Sequence, residues 1–141
     1  MGFSRSFLCG DAAPTSDQRN LYQLAQEQIA ANTALLTAGV EFREFAERAC
    51  KCPAVYRPWQ YGLLGHGLGL AGGFPNIPHF DPGTPYPLAG HMEPGVVFCL
   101  ESYIGSKESG QGFKLENQYL IHETHVECMS NYPFDRVLGG A

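Results

Sequence analysis

The chain has 141 residues, with 9 Lys or Arg against 14 Asp or Glu, which gives a formal net charge of −5 at pH 7. The basic residues are scattered along the sequence, which argues against a nucleic-acid-binding surface. No apolar run approaches the ~18 residues of a membrane-spanning helix, and the odd number of cysteines, 5, does not suggest a disulfide framework. We therefore expect a cytoplasmic protein with one domain, residues 1–141, and neither a nucleic-acid nor a membrane partner.

The first third of the chain is predicted to contain a strand followed by two helices. Residues Phe3 to Cys9 alternate loosely between apolar and polar types, which predicts an opening strand. Thr15, with Gln18 three residues later, is a capping-box signature at the start of a long helix that should end at Gly39. Its apolar positions recur at three- and four-residue steps, namely Leu21, Leu24, Ala25, Ile29, Leu35 and Leu36. A second amphipathic helix is predicted over about Phe42 to Cys50.

The remainder of the chain predicts an antiparallel sheet. Tyr61 to Leu70 is a glycine-studded apolar strand, and the proline-rich stretch Ala71 to Met92 should lack regular structure and border that strand. Gly95 to Gly105 and Gly112 to Ile121 are rich in β-branched and aromatic residues and predict a hairpin. These elements together predict an α+β fold in which two amphipathic helices cover an antiparallel sheet.

The register of this hairpin brings two acidic residues together. A loop centred near Glu108 places Glu101 directly opposite Glu116, and opposed like charges are destabilising unless a proton or a cation lies between them. With His66 from the glycine-studded strand, the set offers one imidazole and two carboxylates, which suits a divalent ion such as Mn, Fe, Co or Zn. The alternative is that both glutamates are exposed, with Lys114 as a counter-charge.

Other aromatic and imidazole side chains have less specific interpretations. Trp59 and Tyr61 either line a pocket or, as is usual for aromatic residues near strands, belong to the core. Four further histidines are predicted to lie at the surface or in turns rather than to bind metal, namely His79, His91, His122 and His125.

These motifs resemble the pita-bread metalloenzymes, a family that includes methionine aminopeptidase, prolidase, aminopeptidase P and creatinase. The H-G-x-G-L motif falls on His66 to Leu70, the E-P-G turn falls on Glu93 to Gly95, and the two glutamate ligands of the family fall on Glu101 and Glu116. The resemblance implies a truncated pita-bread (creatinase/aminopeptidase) fold. It also implies that His66, Glu101 and Glu116 are ligands of a divalent metal ion (Mn, Fe, Co or Zn) in the intact family, whereas this chain is expected to bind at most one ion, weakly, or none.

Within the family the chain most resembles the dimethylsulfoniopropionate lyase branch, through CGDAAPTSDQRNLYQLA, YGLLGHGLGL, CLESYIG and KLENQ. This resemblance implies that Tyr61 is a catalytic residue. It implies a small-molecule substrate, whereas resemblance to the peptidases implies a short peptide. The lyase branch has a catalytic aspartate where this chain has Gly72, and the peptidase branch has a further histidine near Gly73.

The N-terminal residues of the chain differ from the family pattern. Arg5 resembles an arginine that follows the second of two aspartate ligands, but Gly2 stands where the nearer aspartate is expected, and both aspartates are missing. We therefore expect the C-terminal part of a metallopeptidase-like catalytic domain that is inactive by itself and forms a homodimer through the uncovered sheet edge and apolar surface. The alternatives are a fragment of a dimethylsulfoniopropionate lyase-like C–S lyase, a non-catalytic binding module, and an unrelated small α+β domain.

Overall fold

A computed structural model describes residues 2–70 and 73–140. Within these ranges five strands form one antiparallel sheet in the order β2-β1-β3-β4-β5. Their bounds are Leu63–Leu68 (β1), Asn76–Pro78 (β2), Val97–Ser106 (β3), Gln111–Ile121 (β4) and Val126–Cys128 (β5). The helices are Ser16–Thr33 (α1), Phe42–Arg48 (α2) and Arg136–Gly139 (α3), with a 3-10 turn at Arg57–Trp59. The predicted α+β fold is confirmed, and no helix in the described ranges is long and apolar enough to cross a bilayer.

Strands β3 and β4 form the predicted hairpin, which is the longest pairing in the sheet. Ser106 pairs with Gln111 at its closed end, and Gly110 takes a positive φ of 66° in the connecting turn. This turn fixes the register of the whole ladder, so that Glu101 pairs with Glu116 as predicted. Because side chains alternate along a strand, both glutamates project from the same face.

Helix α1 packs on the opposite face of the hairpin. Its start is the predicted capping box, in which Gln18 N–H donates to Thr15 Oγ1 and the Gln18 side chain accepts from Thr15 N–H. The buried stripe of α1 contacts the apolar residues of β3 and β4, and the ring of Tyr22 meets that of Phe113 edge to face at 5.6 Å. Burying each such large side chain contributes about 1.5–3 kcal/mol, so this layer is the main source of stability.

The predicted end of α1 at Gly39 is wrong, because the helix stops at Thr33. The Thr33 hydroxyl bonds back to the Ile29 carbonyl at 2.7 Å and also meets the Tyr119 hydroxyl at 2.7 Å. The buried Asn32 side chain accepts from Cys50 N–H at 2.7 Å, which directs the chain away from the helix axis. These tertiary bonds end the helix six residues before the glycine, which instead forms a later turn with a φ of 84°.

The predicted opening strand is also wrong. Ser4 alone forms a backbone bridge to Glu116. At the next ladder position the Ser6 hydroxyl, rather than the backbone, donates to the Lys114 carbonyl at 3.0 Å and accepts from the Lys114 N–H at 3.2 Å. The side chain therefore replaces the backbone groups that would have extended the strand.

The proline-rich stretch contains more structure than its composition predicts. Asn76–Pro78 forms the edge strand β2, and Ile77 is fully buried. A proline is tolerated here because an edge strand leaves one row of backbone groups unpaired. The stretch does border β1, since His66 pairs with Asn76 and Gly67 N–H donates to the Pro75 carbonyl. Strand β5 and helix α3 were not predicted.

Candidate metal centre

Two buried glutamates form the centre of the candidate site. Glu101 and Glu116 are opposed across β3 and β4 on the sheet face away from α1, and they are only 4% and 3% exposed. The alternative prediction that both are solvated surface residues is therefore wrong. Two carboxylates buried side by side need a compensating cation or a shared proton.

His66 reaches this pair from the neighbouring strand β1. Its Nε2 lies 3.3 Å from Glu101 Oε1 and 3.6 Å from Glu116 Oε1, and 22% of its side chain is exposed. The other ring nitrogen, Nδ1, lies 2.9 Å from the Gly67 carbonyl. A proton on Nδ1 would donate to that carbonyl and turn the lone pair of Nε2 toward the carboxylates. The structure thus brings the three predicted ligands together, and their binding of a metal stays a prediction.

Lys114 provides a cation within the same cluster. Its ammonium forms an ion pair with Glu101 Oε2 and lies 3.6 Å from Glu116 Oε2. Burial acts to lower the pKa of Lys114, but contact with Glu101 and the charge of both carboxylates outweigh burial and raise it. Within the described chain Glu101 Oε2 makes no hydrogen bond of regular geometry despite this contact. The sequence therefore predicted Lys114 correctly as a counter-charge, but with Glu101 and Glu116 exposed, whereas both are buried.

Cys99 belongs to the cluster and was missed by the sequence analysis. Its Sγ, a ligand nitrogen of His66 and a carboxylate oxygen of Glu116 all lie within 4.8 Å of one another. Burial and the neighbouring charges of Glu116 and Glu101 raise the pKa of Cys99 to about 11. Its spacing was the one available signal, because Cys99 is two residues before Glu101 on a strand and therefore shares its face; its residue type gave none, since a cysteine in a strand is usually a small buried apolar residue.

The N-terminal segment holds Glu116 in place. The Ser4 hydroxyl donates to Glu116 Oε2 at 2.9 Å, and Arg5 Nη1 donates to the Glu116 carbonyl at 2.8 Å. Gly2 approaches so closely that a Cβ there would lie 2.5 Å from Glu116 Oε1 and would collide with Cys99 Sγ. Glycine is therefore the residue that fits at position 2, because any side chain there would collide with these two groups.

The other predicted residues lie at or outside the edge of the cluster. The Tyr61 ring covers the Lys114 ammonium at 5.0 Å. It is 40% exposed and Trp59 is 42% exposed, so neither belongs to the core. In the described ranges, the one group of potential ligands that could hold a metal includes none of the other four histidines. Gly72 lies outside the described residues.

The donor set fits a divalent metal ion. An imidazole nitrogen and carboxylate oxygens converge within 3.3 to 3.6 Å. The Lys114 ammonium pairs with Glu101 Oε2, whereas Oε1 of both buried glutamates faces His66 Nε2. Mixed nitrogen and oxygen donors suit Mn, Fe, Co or Zn.

Residues 2–123 match metallopeptidase family M24. The chain belongs to this family. It is 38% identical over 137 residues to dimethylsulfoniopropionate lyase DddP of Roseovarius nubinhibens and 33% identical over 137 residues to that of Roseobacter denitrificans. These matches cover 97% of the chain and 31% of each relative, so the M24 chain spans about a third of the length of these relatives.

Solved structures place the M24 chain in the pita-bread fold. It superimposes on prolidase from Pyrococcus furiosus with a TM-score of 0.71 at 20% identity, over 93% of this chain and 37% of the prolidase. The X-Pro aminopeptidase from Thermotoga maritima gives a TM-score of 0.64 at 21% identity, over 85% of this chain and 33% of that enzyme. The predictions of the family, its lyase-like branch and its fold are confirmed.

Proposed function

We propose that this chain is the metal-binding part of a dimethylsulfoniopropionate lyase-like catalytic domain, with His66, Glu101 and Glu116 holding one divalent ion. The observation that carries the proposal is the convergence of two buried, opposed carboxylates on His66 Nε2, at 3.3 and 3.6 Å. Manganese, iron, cobalt and zinc are the candidate ions. The free thiols of all five cysteines suit a reducing compartment, so we also propose a cytoplasmic location.

The chain's own residues prepare the site for a cation. The Gly67 carbonyl orients the His66 ring, and the Ser4 hydroxyl orients the Glu116 carboxylate. When bound, a divalent ion supplies a Lewis acid that polarises a substrate oxygen. Lys114 balances part of the carboxylate charge in the metal-free chain, so its ammonium acts against the binding of that ion.

The lyase reading is supported by the sequence identity and by the surroundings of Tyr61. Dimethylsulfoniopropionate carries a carboxylate, which suits a metal ion, and a sulfonium cation, which suits an aromatic face. The Tyr61 ring already contacts one cation, the Lys114 ammonium at 5.0 Å, and its 40% exposure leaves surface for a second. We assign Tyr61 the role of substrate contact at the edge of the site.

A second candidate function is an Xaa-Pro peptidase that takes a short peptide. The match to metallopeptidase family M24 and the likeness in fold to prolidase favour it. The lyase candidate ranks first because the lyase relatives are 38% and 33% identical over 97% of the chain. A non-catalytic binding module is the third reading, and a chain that bound neither metal nor substrate would support it.

We further propose that the 141-residue polypeptide has no turnover by itself. Three ligand side chains hold one ion, and glycine carries no group that can transfer a proton at position 72, where the lyase branch has an aspartate. Catalysis by the whole protein would need residues in addition to these.

Binding and turnover of two substrates test this proposal. The manganese- or zinc-loaded chain is titrated with dimethylsulfoniopropionate and with glycyl-proline, and Tyr61→Ala is compared with Tyr132→Ala, which alters an exposed tyrosine outside the site. We expect preferential binding of dimethylsulfoniopropionate, weakened only by Tyr61→Ala, and no turnover of either compound. Preferential binding of the dipeptide would favour the peptidase reading. Metal-dependent turnover that Glu101→Ala abolishes would refute the inactivity of the isolated chain.

A further inference from the structure

The environment of Cys99 differs from that of an ordinary core cysteine. Its side chain is fully buried, yet it projects from the sheet face that carries the site, where it pairs across the sheet with His66. The donor atoms of His66, Cys99 and Glu116 lie within 4.8 Å of one another. Donors of one tetrahedral zinc ion lie roughly 3.5 Å apart, given bond lengths of ~2.0 to ~2.3 Å, so modest side-chain rotations would close this cluster on one ion.

A second observation points to a ligand at the same place. Glu101 is buried, and because the Lys114 ammonium holds its Oε2, its Oε1 is the oxygen that faces the cluster, 3.3 Å from His66 Nε2. The backbone also makes room for the sulfur, because the absence of a side chain at Gly2 leaves the space that Cys99 Sγ and Glu116 Oε1 occupy. The thiol therefore has two metal-binding groups, those of His66 and Glu116, beside it.

We propose that Cys99 Sγ is a fourth metal ligand, which completes a nitrogen, sulfur and two-oxygen set with His66, Glu101 and Glu116. This inference rests on the metal site proposed above. On coordination the S–H bond breaks, the proton passes to solvent, and the thiolate electron pair binds the ion. The three anionic ligands are then balanced by the divalent ion together with the Lys114 ammonium.

A sulfur ligand changes which ion the site prefers. Thiolate is a soft donor that selects zinc or cobalt, whereas carboxylate and water ligands suit manganese and magnesium. A site of one imidazole, one thiolate and two carboxylates would therefore bind zinc and cobalt in preference to manganese. Removing the sulfur should reduce that preference while leaving manganese binding largely unchanged.

Cobalt(II) absorption spectroscopy tests the assignment directly. The 141-residue chain is titrated with cobalt, and thiolate ligation is read from the sulfur-to-cobalt charge-transfer band in the near ultraviolet. We expect the band in the unmodified chain, its loss in Cys99→Ser, and its retention in the matched control Cys128→Ser, which alters an exposed thiol. Circular dichroism establishes that both variants fold.

The possible results separate this inference from the proposed function. Cobalt binding without the charge-transfer band, or a band that persists in Cys99→Ser, would overturn the role of Cys99 and leave the His66 and glutamate site intact. An absence of cobalt binding would overturn both. If Cys99→Ser does not fold, Cys99→Ala is the second variant, because alanine leaves no group at this buried position that needs a hydrogen-bond partner. The charge-transfer band should be absent from Cys99→Ala, and a band that persists there would refute the assignment.

Discussion

At the scale of single residues, the site is organised by the balance of charge around two buried carboxylates. Glu101 and Glu116 are 4% and 3% exposed, and the Lys114 ammonium compensates part of their charge. Opposed buried carboxylates are unfavourable without such partners. Lys114 therefore stabilises the metal-free chain, and its positive charge opposes a metal ion bound by the same two carboxylates.

Replacing Lys114 with methionine should separate these two effects. Without the ammonium, we expect zinc to bind at least about tenfold more tightly, equivalent to ~1.4 kcal/mol, because the repulsion between two cations is removed. The metal-free variant should unfold at a lower temperature and gain more from added zinc. Calorimetry and thermal unfolding measure both. Lys107→Met, which removes an exposed ammonium on the hairpin turn, is the control, and unchanged zinc affinity in Lys114→Met would contradict this repulsion.

The sequence predicted the residues of this site whose chemistry and spacing are informative. Glu101, Glu116 and His66 are polar residues in apolar strands, and the two-residue period of a strand places such residues on one face. Cys99 gave no comparable signal, because a cysteine in a strand is usually a small buried apolar residue. The burial of the carboxylates beside Lys114 depends on the N-terminal segment that contains Gly2 and Ser4, which packs against Glu116. Because this segment is distant from Glu116 in the sequence, local sequence patterns could not predict the burial.

At the scale of helices and strands, short-range sequence motifs predicted where most elements lie, whereas hydrogen bonds between distant segments determine where some of them end. The hairpin and the start of α1 follow from turn residues and the capping box, which act over a few residues. The end of α1 depends on bonds from Thr33 to Tyr119 and from Asn32 to Cys50, which connect distant segments. Strand β2 likewise exists through its pairing with β1, so its proline-rich composition could not predict it.

The capping box at α1 gives a stability prediction. Thr15→Ala should lower the free energy of unfolding by about 1 kcal/mol, because the N–H of Gln18 loses its hydroxyl acceptor at the exposed helix start. Denaturant unfolding measures the change. Thr124→Ala, in an exposed bend, should change stability by less than about 0.5 kcal/mol. Equal effects of the two substitutions would show that the cap does not stabilise the fold.

At the scale of the whole molecule, the sheet has two different faces. Helix α1 covers one face with apolar contacts, and the other carries the charged cluster. The edges of the sheet are the three-residue strands β2 and β5, which offer little backbone for pairing with another chain. A contact between two copies would therefore use side chains rather than an extended sheet.

We propose a homodimer through an exposed aromatic patch formed by Phe3, Phe7 and Tyr132. These side chains are 39%, 53% and 53% exposed, and both phenylalanine rings pack edge to face on Tyr132. Light scattering should give a dimer mass that falls toward the monomer on dilution. Phe7→Ser should shift this equilibrium toward the monomer, while Val55→Ser, at an exposed residue outside the patch, should not. A strict monomer at high concentration would refute the dimer.

The central claim is that His66, Glu101 and Glu116 form one divalent-metal site, and calorimetric titration of the chain with zinc tests it most directly. We predict one equivalent bound, with affinity reduced more than about tenfold, or ~1.4 kcal/mol, by Glu101→Gln. The matched control Glu127→Gln, at an exposed glutamate on β5, should bind zinc as the unmodified chain does. Two tight equivalents, or a zinc affinity that Glu101→Gln leaves unchanged, would contradict the claim.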